Sequence, residues 1–369
     1  MKIALLITLI AGLSFGNALQ NLREIGVNNI SQIVEIGQIV YPDSRIWDMA
    51  FQAENSVLVA IVDYISGSPP VRYYDVSFVN TESLEIMVKT EEVLQATAIA
   101  FSDDGSLMAI GDWQGEIAIF ATEDYRLIVS FPPVGLVVTN LAFSPDHSLI
   151  GATFGNPVLS GEGEYAFQLW ALTSGELVFS SPFGDGVYGG GVTFDGTNEG
   201  VFFSITDPTI TVENSVIQAW NAATGQANIT LYEARAFSDE LIFDPRTSAL
   251  FYMGEESVHV TYPFTSESNS DIQLGNQQEG EYITSMALHP NEPLLAIGFQ
   301  KETPRLDGGT LATNAGIIRL YNTQTSEELI TLDVPKGAIT SLAFDSDGTL
   351  LASGGSDGTV RLWGVPAGE

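Results

Sequence analysis

The C-terminal residues 338–363 read AITSLAFDSDGTLLASGGSDGTVRLW. Three short apolar runs, each alternating with small or polar residues, are separated by two Asp/Gly turns at 345–348 and 356–358. A period of two with glycine at the corners is typical of half-buried antiparallel strands joined by tight turns. The stretch therefore predicts a three-stranded antiparallel meander.

The same unit recurs along the chain. Residues 99–120 read IAFSDDGSLMAIGDWQGEIAIF, and residues 141–152 read LAFSPDHSLIGA. With looser copies, the repeats are anchored at Phe51, Phe101, Phe143, Phe194, Phe243, Leu288 and Phe344. The aromatic residues that close them are Tyr74, Phe120, Trp170, Trp220, Tyr262, Tyr321 and Trp363. Self-similarity at a period of about 40 to 50 residues predicts a propeller built from small sheets.

The pattern F-S-P-D-G-x-L-L-A-x-G-x-x-D-G-x-V-x-L-W resembles the WD40-repeat family over nearly everything after residue 18. The resemblance implies an all-β fold, a seven-bladed β-propeller of four-stranded antiparallel blades. It also implies structural roles for the repeat residues Trp170, Trp220, Trp363 and Asp357, with Asp357 keeping part of a hydrogen-bond network with Ser353 and Trp363. The Gly-His pair that opens the family's repeats is missing, so these networks should be incomplete.

The last repeat is one strand short. Only six residues follow Trp363, too few for a fourth strand. Residues 30–36 read ISQIVEI, which has the character of the fourth strands elsewhere in the chain. We expect this N-terminal segment to complete the last blade and to cover an edge that would otherwise invite aggregation.

Four blades are longer than the others between their second and third strands. The extra segments are residues 65–72, 155–165, 207–214 and 301–314. The resemblance implies that these connections share one face with the blade-to-blade loops, and insertions on one face commonly mark a binding face. The residues predicted to contact a partner are Lys301, Glu302, Arg305, Asp307, Glu162, Glu164, Tyr165, Asp207 and Glu213.

The charge balance excludes one class of partner. The 369 residues hold 46 Asp and Glu but only 13 Lys and Arg, a formal net charge of -33. Because affinity for nucleic acids comes largely from basic side chains that neutralise phosphates, we expect no nucleic-acid binding. The acidity is typical of a solvating surface that keeps a protein soluble and monomeric.

The first 18 residues have the layout of a secretory signal peptide. Lys2 is followed by an uncharged apolar run, and Gly16 and Ala18 are small residues at the -3 and -1 positions of a cut after Ala18. The run is too short for a membrane span, which needs about 20 residues. We expect removal of residues 1–18 and a single soluble propeller domain over 19–369, acting outside the cytoplasm in a periplasmic or extracellular space.

The sequence offers little catalytic chemistry. There is no cysteine, and the three histidines, His147, His259 and His289, belong to different repeats. A metal site or a Ser/His/Asp triad needs its members to converge, so we expect neither, and no cofactor. The Asp-rich turns at 102–105 and 345–348 lack the ligand spacing of calcium loops.

Two functions fit this sequence. The first is a non-catalytic scaffold whose loop-bearing face binds a protein, a peptide or a cell-surface glycan. The alternative is an exported propeller hydrolase, lactonase or quinoprotein-like enzyme with carboxylates at a central funnel, with or without calcium. Three or more carboxylates within coordination distance would favour the enzyme, and an apolar, aromatic rim would favour the scaffold.

Overall fold

The computed structural model of the chain describes residues 8–9, 22–53, 57–66, 71–89, 95–155, 166–182, 188–206, 215–224, 226–234, 240–254, 256–263, 272–304 and 310–367. The leading elements are β1 (Thr8–Leu9), β2 (Leu22–Arg23), a short 3-10 helix (Ile30–Gln32) and β3 (Val34–Val40). Blade one contains β4 (Ser44–Gln52), β5 (Val57–Ser66), β6 (Val71–Asn80) and β7 (Glu85–Lys89), with β1 paired to β7.

The next four blades follow in chain order. Blade two contains β8 (Ala96–Phe101), β9 (Leu107–Asp112), β10 (Ile117–Ala121) and β11 (Leu127–Phe131). Blade three contains β12 (Val137–Phe143), β13 (Leu149–Gly155), β14 (Ala166–Ala171) and β15 (Leu177–Pro182). Blade four contains β16 (Tyr188–Phe194), β17 (Gly200–Thr206), β18 (Ser215–Asn221) and β19 (Gln226–Ala234). Blade five contains β20 (Leu241–Asp244), β21 (Ala249–Met253), β22 (Val258–Thr261) and β23 (Ile272–Leu274).

The last two blades are built from the C-terminal part of the chain. Blade six contains β24 (Glu281–Leu288), β25 (Leu294–Pro304), β26 (Thr310–Asn322) and β27 (Glu328–Val334). Blade seven contains β28 (Ile339–Phe344), β29 (Leu350–Gly355) and β30 (Thr359–Pro366). These antiparallel sheets, seven within the described residues, make the fold a seven-bladed β-propeller of four-stranded blades.

An N-terminal strand completes blade seven, as predicted. Strand β3 pairs antiparallel with β30, and β2 pairs with the far end of β30. The predicted bounds, 30–36, were wrong at both ends. Residues Ile30–Gln32 form the 3-10 helix, because the Asn29 carboxamide accepts a hydrogen bond from the Gly26 amide at 2.8 Å and tightens the chain ahead of the strand.

The strand pairing corrects two of the predicted closing aromatics. In blade seven, Leu351 pairs with Phe344 on one side and with Trp363 on the other. The same chain of pairs in blade one runs from Phe51 through Leu58 to Val79. Val79, and not Tyr74, therefore occupies the place of Trp363, because the hairpin of blade one is longer than the repeat pattern suggested. In blade five the equivalent residue is Thr261, one position before the predicted Tyr262.

Contacts along the chain group the blades into two compact units. One consists of residues 1–95 and 274–369, with blades one, six and seven, and the other of residues 96–273, with blades two to five. The prediction of a single domain over 19–369 stays a prediction.

In the first unit, apolar cores lie on both sides of blade seven. Towards blade six, Ile318 and Leu320 pack with Leu351 and Trp363, and Ile25 and Ile30 join them. Towards blade one, Ile46 and Leu58 pack with Ala352 and Leu362, together with Ile39 of β3. The leading segment is thus part of the core as well as an edge strand.

Two glycines explain how closely these blades approach each other. A Cβ on Gly298 would lie 2.5 Å from a methyl group of Ile339, and a Cβ on Gly354 would lie 2.6 Å from a methyl group of Ile46. Each glycine is on the second strand of its blade and receives a branched residue from the first strand of the next. Small residues are required here because the neighbouring strand occupies the space of a side chain.

In the second unit, apolar side chains pack between successive blades in the same way. Ile119 and Phe131 pack with Leu141 and Trp170, and the Phe131 and Trp170 ring centroids are 4.6 Å apart. Phe167 and Phe203 stack at 4.2 Å between blades three and four. Aromatic residues of the second, third and fourth strands thus pack between these blades.

Candidate functional site

Blades six, seven and one of the first unit point the same way. The Ser285 hydroxyl of blade six accepts a hydrogen bond from the Leu342 amide of blade seven at 3.0 Å. The Ser341 hydroxyl of blade seven donates to Asp48 of blade one at 3.4 Å. Ser285, Ser341 and Asp48 follow the bulge in the first strand of their blades. The connections between second and third strands of these three blades therefore share one face, which we call the hairpin face.

The longest connection on this face was predicted as a loop at 301–314 and is instead mainly a β-hairpin. Strands β25 and β26 continue past the body of blade six and stay paired through Glu302 with Ala312, Thr303 with Leu311 and Pro304 with Thr310. A bulge between Gln300 and Glu302 marks where the hairpin leaves the blade. The extra residues therefore add strand, because residues 302–304 pair with residues 310–312 across the hairpin.

The predicted contact residues of this hairpin are partly described. The Lys301 side chain is 41% exposed, and its ammonium lies 3.8 Å from Asp333. Glu302 lies in β25. Arg305 and Asp307 lie outside the described residues.

The base of this hairpin holds a buried ion pair that the sequence did not predict. The Arg319 guanidinium donates two hydrogen bonds to the Glu281 carboxylate, both at 2.9 Å, and only 4% of its side chain is exposed. The Phe299 ring lies 4.6 Å from the guanidinium carbon. Burial alone would raise the pKa of Glu281, but the hydrogen bonds from Arg319 hold that pKa below its ordinary value. The pair ties the start of β24 to β26.

The second extended connection on the hairpin face belongs to blade one. Strands β5 and β6 stay paired out to Ile65 with Arg72 and Ser66 with Val71. The segment predicted as an insertion at 65–72 is thus also the end of a long hairpin. Ile65 is 61% exposed, and Tyr64 and Tyr73 stack across the strands with ring centroids 5.4 Å apart. This hairpin presents apolar and aromatic groups to solvent.

One side of the blade-one hairpin carries a cluster of aromatic and basic residues. Arg45 and Asp63 are directly paired across β4 and β5, and Tyr74 pairs with Asp63 from β6. The guanidinium carbon of Arg45 lies 5.2 Å from the centre of the Trp47 ring, and Trp47 meets Tyr74 edge to face at 5.4 Å. Residues directly opposite on adjacent strands share a face, so Arg45, Asp63 and Tyr74 lie on one face of the sheet, with Arg45 exposed and Asp63 and Tyr74 buried.

Sequence reasoning missed Trp47. The signal was present in the repeat alignment, because Trp47 is the bulge residue of its first strand, and blades two, three, six and seven have threonine there. The four threonines are Thr97, Thr139, Thr284 and Thr340. The signal could have been read from the sequence, because each of these five residues stands four positions before the anchor residue of its repeat.

The remaining predicted contact residues belong to blades three and four. Glu162, Glu164 and Tyr165 follow β13, and Asp207 and Glu213 follow β17, and all five lie outside the described residues. Their roles stay predictions.

The structural repeat residues have well-defined partners. The Trp363 indole donates to the Ser353 hydroxyl at 2.9 Å, as the resemblance implied. Asp357 accepts hydrogen bonds from Arg361 at 2.9 Å and from the Thr359 amide at 3.1 Å. In blades three and four, Trp170 and Trp220 donate to glutamine side chains two residues earlier, at 3.2 and 3.0 Å. Glutamine in the same strand thus replaces the missing family network.

The histidines have structural partners. His289 is fully buried; its Nε2 lies 3.1 Å from the Gly348 carbonyl, and its Nδ1 accepts hydrogen bonds from the amides of Asn291 and Glu292. His147 lies 3.4 Å from Asp104, and His259 stacks on Tyr252. Over the part of the chain that the structure describes, no three His, Asp or Glu side chains form a group that could hold a metal ion.

The Asp-rich segments are turns, as predicted. At 102–107, Ser102 accepts a hydrogen bond from the Leu107 amide at 2.9 Å and donates to Asp104 at 2.7 Å. In blade seven Asp345 takes the place of Ser102 and accepts from the Leu350 amide at 2.8 Å. These carboxylates close turns between first and second strands.

Within the described ranges, the helical part of the chain contains no segment with the length and apolar character needed to cross a bilayer.

Comparison with known proteins agrees with this geometry. A family model described as WD domain, G-beta repeat matches residues 326–364. The chain is 24% identical over 234 residues to the pre-rRNA-processing protein IPI3 of Yarrowia lipolytica, which covers 59% of the chain and 52% of that protein. It is 24% identical over 178 residues to the human serine-threonine kinase receptor-associated protein, covering 47% of the chain and 44% of that protein. The chain spans about half the length of these relatives.

A shorter match is more similar in sequence. Over 48 residues the chain is 46% identical to the periodic tryptophan protein 2 homolog of Schizosaccharomyces pombe, covering 13% of the chain and 6% of that protein. The class defined by fold and repeat is the β-propeller with seven four-stranded blades. Within that class, the chain is similar to the WD40-repeat family, whose model matches its last repeat.

Proposed function

We propose that this protein is a non-catalytic interaction scaffold that binds a protein partner through the hairpin face of blades one, six and seven. The observation that carries the proposal is the pair of extended hairpins, β5–β6 and β25–β26, on one face of the first unit. Blade seven, between them, has only the short turn at 356–358. The proposed partner contacts both hairpins across this short turn.

The hairpins suit this role because they are built from paired strands. Contact residues on paired strands are positioned more rigidly than residues on irregular loops, so less conformational entropy is lost on binding. The blade-one hairpin provides exposed apolar side chains, Ile65 and Val71, and the blade-six hairpin provides a charged one, Lys301. Apolar groups with polar neighbours are the composition of a protein interface.

The comparisons support binding in a general way. WD40 propellers commonly bind proteins, and one relative is named for its association with a kinase receptor. One fold can serve many functions, and the two extended hairpins are what make the proposed partner binding specific to this chain.

We further propose that the protein acts outside the cytoplasm as a monomer, after cleavage following Ala18. Strand β1 lies within the predicted signal peptide, so cleavage would remove it and leave blade one with its four other strands. N-terminal sequencing of protein recovered from the periplasm or culture medium tests this. A sequence starting at Leu19 is expected, and retention of Met1 in the cytoplasmic fraction would contradict it.

Affinity capture tests the binding function. Mature protein is immobilised and exposed to the native extracellular fraction, beside a variant in which residues 301–314 are replaced by the blade-seven turn Ser-Asp-Gly. The proposal expects a partner that is captured by the wild type and is lost or reduced with the variant. The control variant Asp347→Asn changes the turn between β28 and β29, at the opposite ends of the blade-seven strands, and should capture normally. No captured partner, or equal capture by all three proteins, would refute the proposal.

A further inference from the structure

The first strand of blade one has a tryptophan at the bulge, where blades two, three, six and seven have threonine. Bulges redirect a side chain and are common beside functional sites. In blade two the bulge residue Thr97 donates to the Val138 carbonyl at 2.7 Å, and in blade six Thr284 donates to the Gly298 carbonyl at 3.2 Å. Trp47 has no hydroxyl with which to make this bond. The exchange of a small hydrogen-bonding residue for the largest aromatic side chain therefore points to a role other than fastening strands.

The neighbours of Trp47 are the residue types that dominate binding energy at protein interfaces. Tryptophan, tyrosine and arginine are enriched among such hot spots. Trp47 lies between the exposed Arg45 and the buried ring of Tyr74. Ile65 and Arg72 extend the same side of the hairpin towards its tip, because Ile65 is two residues beyond Asp63 on β5 and Arg72 is paired with it. We call Arg45, Trp47, Ile65 and Arg72 the blade-one patch.

The electrostatics of the patch oppose those of the chain. Asp63 is buried and lies 3.2 Å from the Arg72 guanidinium, whose side chain is 55% exposed. Burial raises the pKa of Asp63, while the charges of Arg72 and Arg45 lower it. Asp63 offsets one of the two arginines, which leaves a positive charge on a protein whose formal net charge is -33. Two of only 13 basic residues are gathered on one side of one hairpin.

We propose that the blade-one patch binds a peptide segment in which a carboxylate stands next to an aromatic or aliphatic side chain. The proposal deepens the proposed function and rests on it. The carboxylate pairs with the Arg45 guanidinium, whose planar donors match carboxylate geometry, and the apolar side chain packs on Trp47 and Ile65.

A neutral glycan fits the patch less well. Sugars stack on an open aromatic face, and one face of the Trp47 ring is covered by the Arg45 guanidinium. The exposed cation favours an anionic partner over a neutral one. Selection and binding measurements can separate the two.

The test uses a displayed library of random linear peptides, panned against the full mature protein. Selected peptides are then titrated by fluorescence anisotropy against the wild type, Trp47→Thr and Arg45→Gln. Threonine is the residue that four other blades have at this bulge, so Trp47→Thr is expected to fold. The control variants are Tyr282→Thr, which removes an exposed aromatic from blade six, and Arg126→Gln, which removes an exposed arginine from blade two.

We expect selected peptides to share an Asp or Glu beside an aromatic or aliphatic residue. Their Kd should rise about tenfold or more with Trp47→Thr or Arg45→Gln, and stay within about twofold for both controls. Replacing the peptide carboxylate by its amide should cost a similar factor, and added salt should weaken binding to the wild type more than binding to Arg45→Gln.

Several results would overturn the inference: a selection that yields no binder, a consensus without carboxylates, or equal affinity for Trp47→Thr. Binding of neutral oligosaccharides that depends on Trp47 would also overturn it and assign the patch to glycans. Failure here is distinct from failure of the scaffold function. If a native partner is lost with the 301–314 replacement but is bound normally by Trp47→Thr, the proposal for the blade-one patch is refuted and the scaffold function stands.

Discussion

The buried ion pair of blade six makes a strong prediction about stability. Arg319 and Glu281 are both buried and joined by two hydrogen bonds of 2.9 Å. Glu281→Leu would leave the guanidinium buried without its main partner, with Glu328 at 3.9 Å on the exposed side as the remaining carboxylate. Loss of one partner of a buried pair costs about 3–5 kcal/mol, and the weaker contact with Glu328 favours the lower end of this range.

The double variant Glu281→Leu with Arg319→Met separates the ion pair from packing. Replacing both charges by apolar groups of similar volume is often close to neutral, so we expect the double variant to lie within about 1 kcal/mol of the wild type. Methionine should also keep contact with the Phe299 ring, which lies 4.6 Å from the guanidinium. The difference between single and double variants then measures the cost of an unpaired buried charge.

Urea denaturation of the mature protein at pH 7, followed by circular dichroism and tryptophan fluorescence, gives the free energy of unfolding for each variant. Repeating it at lower pH adds an internal check. Because the pKa of Glu281 is lowered in the folded protein, its stabilising contribution is present above the ordinary pKa of 4.5 and is lost as the pH falls through the folded value. A cost below about 1 kcal/mol for Glu281→Leu, or an equal cost for single and double variants, would refute this reasoning.

Three further predictions concern blade seven. Burial raises the pKa of Asp345 from 3.8 to about 7, so its stabilising contribution is full below about pH 4 and is lost as the pH rises to about 7. In urea denaturation, Asp345→Asn should therefore have the same free energy of unfolding as the wild type at pH 4 and a free energy higher by a few kcal/mol at pH 8. Equal stability of the two proteins at pH 8 would count against this prediction. Ile39→Ala should lower the free energy of unfolding by about 2–4 kcal/mol in the same assay, because Ile39 is buried against β30. The control Val40→Ala, at the exposed next residue, should lower it by less than about 0.5 kcal/mol. Equal effects of the two changes would argue against β3 as a core strand. Ser353→Ala should lower the free energy of unfolding by about 1–2 kcal/mol, because it leaves the Trp363 indole N–H buried without its acceptor. The double variant Ser353→Ala with Trp363→Phe should lose less stability than the sum of the two single variants. Strict additivity would exclude this hydrogen bond as a stabilising contact.

The sequence was sufficient for the architecture where repeated residues have repeated tasks. The anchor residues, such as Phe101 and Phe344, all lie at or next to the end of a first strand. The closure by an N-terminal strand was predictable because an edge without a partner must be covered. Its bounds were not, because the Asn29 side chain and the burial of Ile30 decide where the 3-10 helix gives way to strand.

The site was harder to predict than the fold. Inserted residues in the sequence do not show whether they form a loop or lengthen a hairpin, and the pairing of Glu302 with Ala312 depends on a bulge at the preceding position. The Arg319 and Glu281 pair joins the first and third strands of one blade, and no local pattern links residues so far apart. Trp47 carried a signal in the sequence, since it stands four positions before Phe51, where four other repeats have threonine; the strand pairing adds that this position is a bulge.

The central claim is that the partner binds to the hairpin face. Hydrogen exchange measured by mass spectrometry tests this claim most directly, on the mature protein alone and bound to the captured partner. Binding there should slow amide exchange in 57–75 and 294–322, the segments that include the hairpins of blades one and six. Slowed exchange confined to the turns at 289–294 and 345–350, which join first and second strands of blades six and seven, would place the partner on the opposite ends of these blades and contradict the account.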